Sequence, residues 1–214
     1  MPRSTSMRRG KDAAQEKHDV FISFRGEDTR KTFTSHLHAA LTRIGIRTYI
    51  DYNLEGGDDI SATLVKAIED AKLSLIVFSK NYPNSKWCLD ELVKILECRK
   101  KKGQLIVPVF YDVDPSSVRK QMGSYVEAFA IHEQNFKGNM EKVQSWREAL
   151  TEASSFAGWD CTINRTEYEM VEEIARNVLE KADGVYVGDL DLQIEKLEKL
   201  AELQEEFSQE IYSS

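Results

Sequence analysis

The sequence predicts an α/β fold: a flavodoxin-like, doubly wound sheet of five parallel strands, followed by an acidic helical tail. Three observations lead there. From His18 onward, short apolar runs alternate with segments of helical period, the pattern of βα units that build a parallel sheet. The runs are continuously apolar, as expected of strands covered on both faces. The chain has 214 residues, 41% hydrophobic and 30% charged, which suits one domain with an appendage.

The elements follow in order. Asp19–Phe24 (DVFISF) reads as the first strand. Thr29–Ile44 is predicted helical, with Phe33, Leu37, Leu41 and Ile44 on one stripe and Asp28 or Thr29 as its cap. Gly45–Ile50 is a second, weaker strand, and Asp58–Ala71 a helix with Ile60, Leu64, Ile68 and Ala71 in phase. Leu73–Phe78 (LSLIVF) is a buried strand. Cys88–Lys101 is a helix that turns Leu89, Leu92, Val93 and Leu96 inward and stops at Gly103. Leu105–Tyr111 is the fourth strand, with Pro108 expected to disturb its ladder. Asp114-Pro115-Ser116-Ser117 is a turn that can cap a helix carrying Val118, Met122, Tyr125 and Phe129. Val143–Ser154 is helical through Trp146, Ala149, Leu150 and Ala153. Phe156–Cys161 offers a last short strand, and Thr166–Lys181 a helix with Val171, Ile174, Ala175 and Val178 inward.

Residues 1–17 hold five basic and two acidic residues and read as a flexible basic N-terminus; residues 18–182 form the domain. Residues 183–214 form the tail, in which Asp189–Ser214 carries eight acids and two lysines. There Leu190, Ile194, Leu197, Ala201 and Phe207 lie near one helical face. The tail either packs on its own domain, frays in solvent, or associates with a second copy.

Several functional classes drop out. No apolar run is long enough to span a bilayer, and no h-region follows the basic N-terminus as a secretory signal requires. Cys88, Cys98 and Cys161 are odd in number and lack CxxC spacing, so neither a disulfide framework nor a metal site is expected. A reducing, cytoplasmic setting, with the nucleus as a further compartment, is the expectation. The net charge of −7 argues against a duplex-binding surface. The third strand ends Phe78-Ser79-Lys80, without the aspartate of a phosphorelay receiver. No P-loop or GxGxxG occurs.

In a doubly wound sheet, ligands bind outside the carboxyl ends of the strands. Three loops there stand out, of which the third, residues 107–119, reads as a strand, a turn and a capped helix. Arg25-Gly26-Glu27-Asp28-Thr29-Arg30 brackets a glycine turn with two arginines, which either fork onto a phosphate or pair with Glu27 and Asp28. Ser85-Lys86-Trp87-Cys88-Leu89-Asp90-Glu91-Leu92 places Glu91 early in a helix, whose dipole would favour an ionised carboxylate. Trp87 offers a flat face to a ring. Such a pair could stabilise an oxocarbenium-like ribose as an N-glycosidic bond breaks. The alternative is a common first-turn acid beside a core tryptophan. No histidine is placed by sequence to activate Cys88, which is expected to be a packed thiol.

Together these stretches resemble the plant branch of the Toll/interleukin-1 receptor (TIR) domain family, over roughly residues 18–182. The motifs are DVFISFRGEDTRKTF at Asp19–Phe33, SHL at Ser35–Leu37, IVFSKNYPNSKWCLDELVKI at Ile76–Ile95, PVFYDVDPSSVRKQ at Pro108–Gln121, WREAL at Trp146–Leu150 and GWD at Gly158–Asp160. The resemblance implies the same five-stranded fold. It also implies a hydrolase that cleaves NAD+ or NADP+ as substrate, with no cofactor, when the domains self-associate. It implies Glu91 as the catalytic residue, nucleotide contacts at Arg25, Gly26, Glu27, Asp28, Thr29 and Arg30, and Trp87 lining the same pocket. The loop after the second strand would gate the pocket through Gly57, with Gly56 where the family places a basic residue. Ser35 and His36 match a family self-association surface.

The expected role is plant defence signalling by a TIR-only protein. Its partners would be other TIR domains and lipase-like immune regulators reached through nucleotide products such as ADP-ribose or its cyclic variants, with no membrane or nucleic-acid partner. Two other functions stand beside it: a non-catalytic module that joins TIR assemblies, and cyclic-nucleotide production from nucleic acid, which some relatives imply.

Overall fold

A computed structural model describes residues 18–51, 61–161 and 165–183. Five parallel strands form one sheet in the order β2-β1-β3-β4-β5. They are β1 (Val20–Phe24), β2 (Thr48–Ile50), β3 (Leu73–Phe78), β4 (Leu105–Phe110) and β5 (Trp159–Asp160). This is the flavodoxin-like strand order, with a switch point between β1 and β3. The register runs Val20 to both Thr48 and Leu73, and Leu73 to Leu105.

The helices are α1 (Gly26–Thr29), α2 (Phe33–Arg43), α3 (Ala62–Asp70), α4 (Lys86–Lys102), α5 (Pro115–Lys120), α6 (Ser124–Asn135), α7 (Met140–Ala153) and α8 (Glu167–Asp183). The two-residue period of the strands divides their side chains between two cores. Phe21, Ile76, Phe78, Ile106 and Phe110 meet α3, α4, α6 and α7. Val20, Ile22, Phe24, Leu75, Val77 and Val109 meet α2 and α8. Helices therefore cover both faces, which is why every residue of β1 and β3 is buried.

Local chemistry accounts for several boundaries. Ser85 caps α4 by accepting from Cys88 N, and Gly103, at φ 71°, ends it in the left-handed region. Asp114 accepts from Ser116 N and Ser117 N and so starts α5, with Pro115 in its first turn.

The structure corrects three expectations. Helix α2 begins at Phe33, so Asp28 and Thr29 cap nothing: they lie in the separate turn α1. The segment after Asp114 is two helices, because Gln121 (φ 53°) and Gly123 (φ 61°) take left-handed conformations between them. That break leaves Met122 half exposed instead of in the core. Pro108 leaves the central ladder intact. Leu105 N and Tyr111 N donate to Lys72 O and Phe78 O, so odd residues of β4 face β3, and Pro108 falls on the β5 side. There β5 pairs only from Val109 onward.

Gly158 packs against that proline. A Cβ there would stand 2.2 Å from Pro108 O and 2.5 Å from its ring. Because one neighbour is backbone, Gly158→Ala is expected to cost about 2–3 kcal/mol. Chemical denaturation checks it; an unchanged midpoint would show that β5 yields freely.

The segments 1–17, 52–60, 162–164 and 184–214 lie outside the described residues. With them fall the expectations for the basic N-terminus, the tail, Ile60, and Gly56 and Gly57. Among the described residues no helix is long and apolar enough to cross a membrane.

Candidate active site

Helix α4 begins beyond the carboxyl end of β3, and its first turns bring Trp87, Cys88 and Glu91 there. Cys88, Glu91 and Leu92 turn inward. Trp87 precedes Glu91 by four residues, so the two share a helix face one turn apart. Trp87 is half-buried and Glu91 only 3% exposed. The Lys86 ammonium lies 5.1 Å from the centre of the Trp87 ring.

Glu91 does not sit in the first turn. It is the sixth residue of α4, beyond the reach of the helix N-terminus. Its environment instead pushes its carboxyl up to about 8, chiefly by burial, with Asp51 and Asp90 adding like charge. Ser23, buried in β1, is 2.7 Å from Glu91 Oε2 and counters the shift in part. The expectation that the dipole keeps Glu91 ionised at neutral pH is therefore corrected: burial wins.

Ser23 Oγ also lies 2.9 Å from the hydroxyl of Tyr82, which donates to Cys88 O at 3.0 Å. Tyr82 is fully buried in a 3₁₀ turn at Tyr82–Asn84 and meets Phe78 edge to face. Helix α6 holds this turn and its flanks: Tyr125 donates to Ser79 O, Ser124 to Lys80 O, and His132 Nε2 lies 2.7 Å from Pro83 O. Cys88 is fully buried, donates weakly to Phe24 O, and burial raises its thiol far above the ordinary range. It is a packed thiol, as the sequence suggested.

In the loop after β1, Arg25 takes the paired arrangement. Arg25 pairs with Glu27, and its Nε lies 3.7 Å from Asp28. Asp28 accepts from Ser79 Oγ at 2.6 Å, from Asn81 N at 3.1 Å and from Asn81 Nδ2 at 3.3 Å. It thus stitches the β1 loop to the β3 loop. Thr29 is buried against Thr34. Arg30 folds back so that a Cβ on Gly26 would stand 2.6 Å from its Nη2. Asp28 and Thr29 therefore build the loop, while Arg25 is neutralised within it.

Asp90 faces another way. It accepts from Trp146 Nε1 at 2.8 Å and pairs with Lys142 at 3.0 Å, anchoring α7. Ser35, half-buried, donates to Thr32 O, while the exposed His36 is 2.7 Å from Glu167 on α8. Among the described residues, one groove of about 540 Å³ lies beside Arg119 and Arg147, and another of about 370 Å³ between Lys72, Lys102 and Lys181. Neither is lined by Glu91 or Trp87. Among the described residues no three His, Cys, Asp or Glu side chains gather as a metal site would need.

Sequence reasoning missed Ser23, Tyr82, Ser79 and Asn81. A serine inside the apolar run VFISF was the one available signal. It was ambiguous, because Ser74 in LSLIVF is equally buried and its hydroxyl makes no hydrogen bond.

The TIR domain family model matches residues 17–208. Disease resistance protein RPV1 of Vitis rotundifolia is 53% identical over 161 residues, 75% of this chain and 11% of that protein. TMV resistance protein N of Nicotiana glutinosa is 44% identical over 193 residues, 87% of this chain and 17% of that protein. The chain thus spans less than a fifth of either relative. Among solved structures, the TIR domains of the activated Roq1 resistosome, which directly recognizes the pathogen effector XopQ, are 50% identical. The match covers 75% of this chain and 98% of that one, with a TM-score of 0.70. The fold, the motifs and these matches agree that the chain belongs to the TIR domain family, in its plant branch.

Proposed function

We propose that this domain hydrolyses the nicotinamide–ribose bond of NAD+ or NADP+ when copies assemble, and so signals in plant defence. One observation carries the reading: a buried carboxylate, Glu91, held by Ser23 at the carboxyl ends of the strands and one helical turn from Trp87. Departing nicotinamide is neutral and needs no general acid. The sugar left behind is cationic, and an ionised Glu91 in a low-dielectric site stabilises it. The positive ring of the bound dinucleotide favours that ionised form. Water, or another nucleophile of the substrate itself, then completes ADP-ribose or a cyclic variant. Such products would reach lipase-like immune regulators.

Assembly is supported by likeness to TIR domains of an activated resistosome. Nicotinamide release, assayed at increasing protein concentration with NAD+ and with NADP+, tests the reading. The rate per molecule should rise with concentration; no release at any concentration overturns it. On α2, exposed His36 and neighbouring Ser35 form the proposed contact between copies. Replacing both by alanine should weaken self-association about tenfold, about 1.4 kcal/mol, and shift the concentration dependence of the rate by the same factor. The fold should survive, because Phe33, Leu37 and Leu41 stay buried. An unaltered concentration dependence would remove this surface from the mechanism.

A second reading has its own support. Arg25 is neutralised within its loop and Lys86 lies over the Trp87 ring, which would weaken nucleotide contacts there and favour a module that joins assemblies without turnover. Self-association without nicotinamide release would favour it.

A further inference from the structure

Glu91, Ser23 and Tyr82 form a chain of buried oxygens beneath α4. Ser23 and Tyr82 are fully buried, and among the described residues Ser23 is the side chain that donates to Glu91. Three links join the chain: Glu91 Oε2 to Ser23 Oγ at 2.7 Å, Ser23 Oγ to the Tyr82 hydroxyl at 2.9 Å, and the Tyr82 hydroxyl to Cys88 O at 3.0 Å. Each link needs one hydrogen. The two hydroxyls supply two, so an ionised Glu91 leaves one link empty. A protonated Glu91 supplies the third, and all three then run one way: Glu91 to Ser23, Ser23 to Tyr82, Tyr82 to the carbonyl. Buried polar groups are rarely left unsatisfied.

We propose that Ser23 and Tyr82 are positioning residues that set the charge of Glu91: Ser23 supports the carboxylate as its donor, and Tyr82 holds the proton on Glu91 by drawing the Ser23 hydrogen away. Ionisation breaks the carboxyl O–H bond and sends the proton to solvent. The Ser23 hydroxyl rotates from Tyr82 to Glu91, and no other covalent bond changes. Asp51 after β2 and Asp90 on α4 add negative charge against ionisation. The Cys88 thiol and the Tyr49 phenol, also near Glu91, are both raised and stay neutral. The consequence for catalysis rests on the function proposed above; the titration itself does not.

The two hydroxyls act in opposite directions. Ser23→Ala removes two neutral links from the protonated arrangement but strips the ionised one of its charge-assisted donor; a bare buried carboxylate costs more than two neutral links, so the Glu91 midpoint should rise by about one pH unit. Tyr82→Phe removes two links from the protonated arrangement and one from the ionised arrangement, so the midpoint should fall by about one unit. Ser23→Thr keeps the hydroxyl and should restore the wild-type midpoint. A merely structural role would not move the two deletions apart.

The test follows the side-chain carboxyl signals of the full chain, labelled with ¹³C-glutamate, against pH. Glu91 is identified by its absence in Glu91→Gln. An elevated wild-type midpoint with opposite shifts in the two variants supports the proposal. A wild-type midpoint below about 5, or shifts of the same sign, overturns it. Nicotinamide release is then measured on the same proteins. If the midpoints move as stated and nothing is released, the proton chain stands and the glycohydrolase reading falls. If release occurs with a pH profile that neither variant moves, the positioning role is overturned.

Discussion

Glu91→Ala is expected to abolish nicotinamide release, lowering the rate on the order of 10²- to 10⁴-fold. In the proposed reaction this carboxylate meets the developing sugar cation. Glu91→Gln keeps the shape and can still donate to Ser23, yet brings no charge. It should be nearly as inactive. The control needs care, because Asp90 is not idle: Asp90→Ala would strip Trp146 Nε1 and Lys142 of their partner and destabilise the packing of α4 on α7. Asp90→Asn keeps an acceptor for the indole and should retain activity within a few-fold. Full activity in a folded Glu91→Gln variant, with activity lost in Asp90→Asn, would show that the wrong carboxylate has been named.

How much of this was legible in the sequence depends on the range of the interaction responsible. Local signals were read correctly: the apolar run at Leu73–Phe78, the Gly103 stop and the Asp114 cap all act within a few residues. The start of α2 was placed too early, because nothing local marks that Asp28 is spoken for by Ser79 and Asn81, about fifty residues away. Likewise Met122 matched the helical period of Val118, Tyr125 and Phe129, but two left-handed residues reset the phase between them. The carboxylate at the site came from the resemblance to a family, and spacing alone left it beside a plain first-turn acid. Its charge state was misjudged for the same reason as Asp28. The side chain meets Ser23 across 68 positions of sequence, and burial created by that tertiary contact overrides the helix dipole.

That burial predicts a stability cost that grows with pH. Folded Glu91 titrates at about 8, whereas its ordinary value is 4.5. Below 4.5 both folded and unfolded chains hold the proton, and Glu91 costs nothing. Between 4.5 and 8 the unfolded chain releases it while the folded chain keeps it, so stability falls as pH rises. Above 8 both are ionised, and the full cost remains. A shift of this size corresponds to roughly 4 kcal/mol at pH 8 and under about 1 kcal/mol at pH 5. Glu91→Gln removes the titration while preserving the chain from residue 91 through Ser23 and Tyr82 to Cys88 O. It should therefore melt at about the wild-type temperature at pH 5 and about 10 °C higher at pH 8. Comparing the two proteins at each pH cancels Asp19, Asp114 and Glu169, whose lowered values act in the opposite, acid-sensitive direction. A difference in melting temperature that stays flat from pH 5 to 8 would mean that Glu91 is already ionised in the resting fold. A difference that opens with pH would mark Glu91 as a residue kept against the interests of stability, which is the expected signature of a group retained for chemistry.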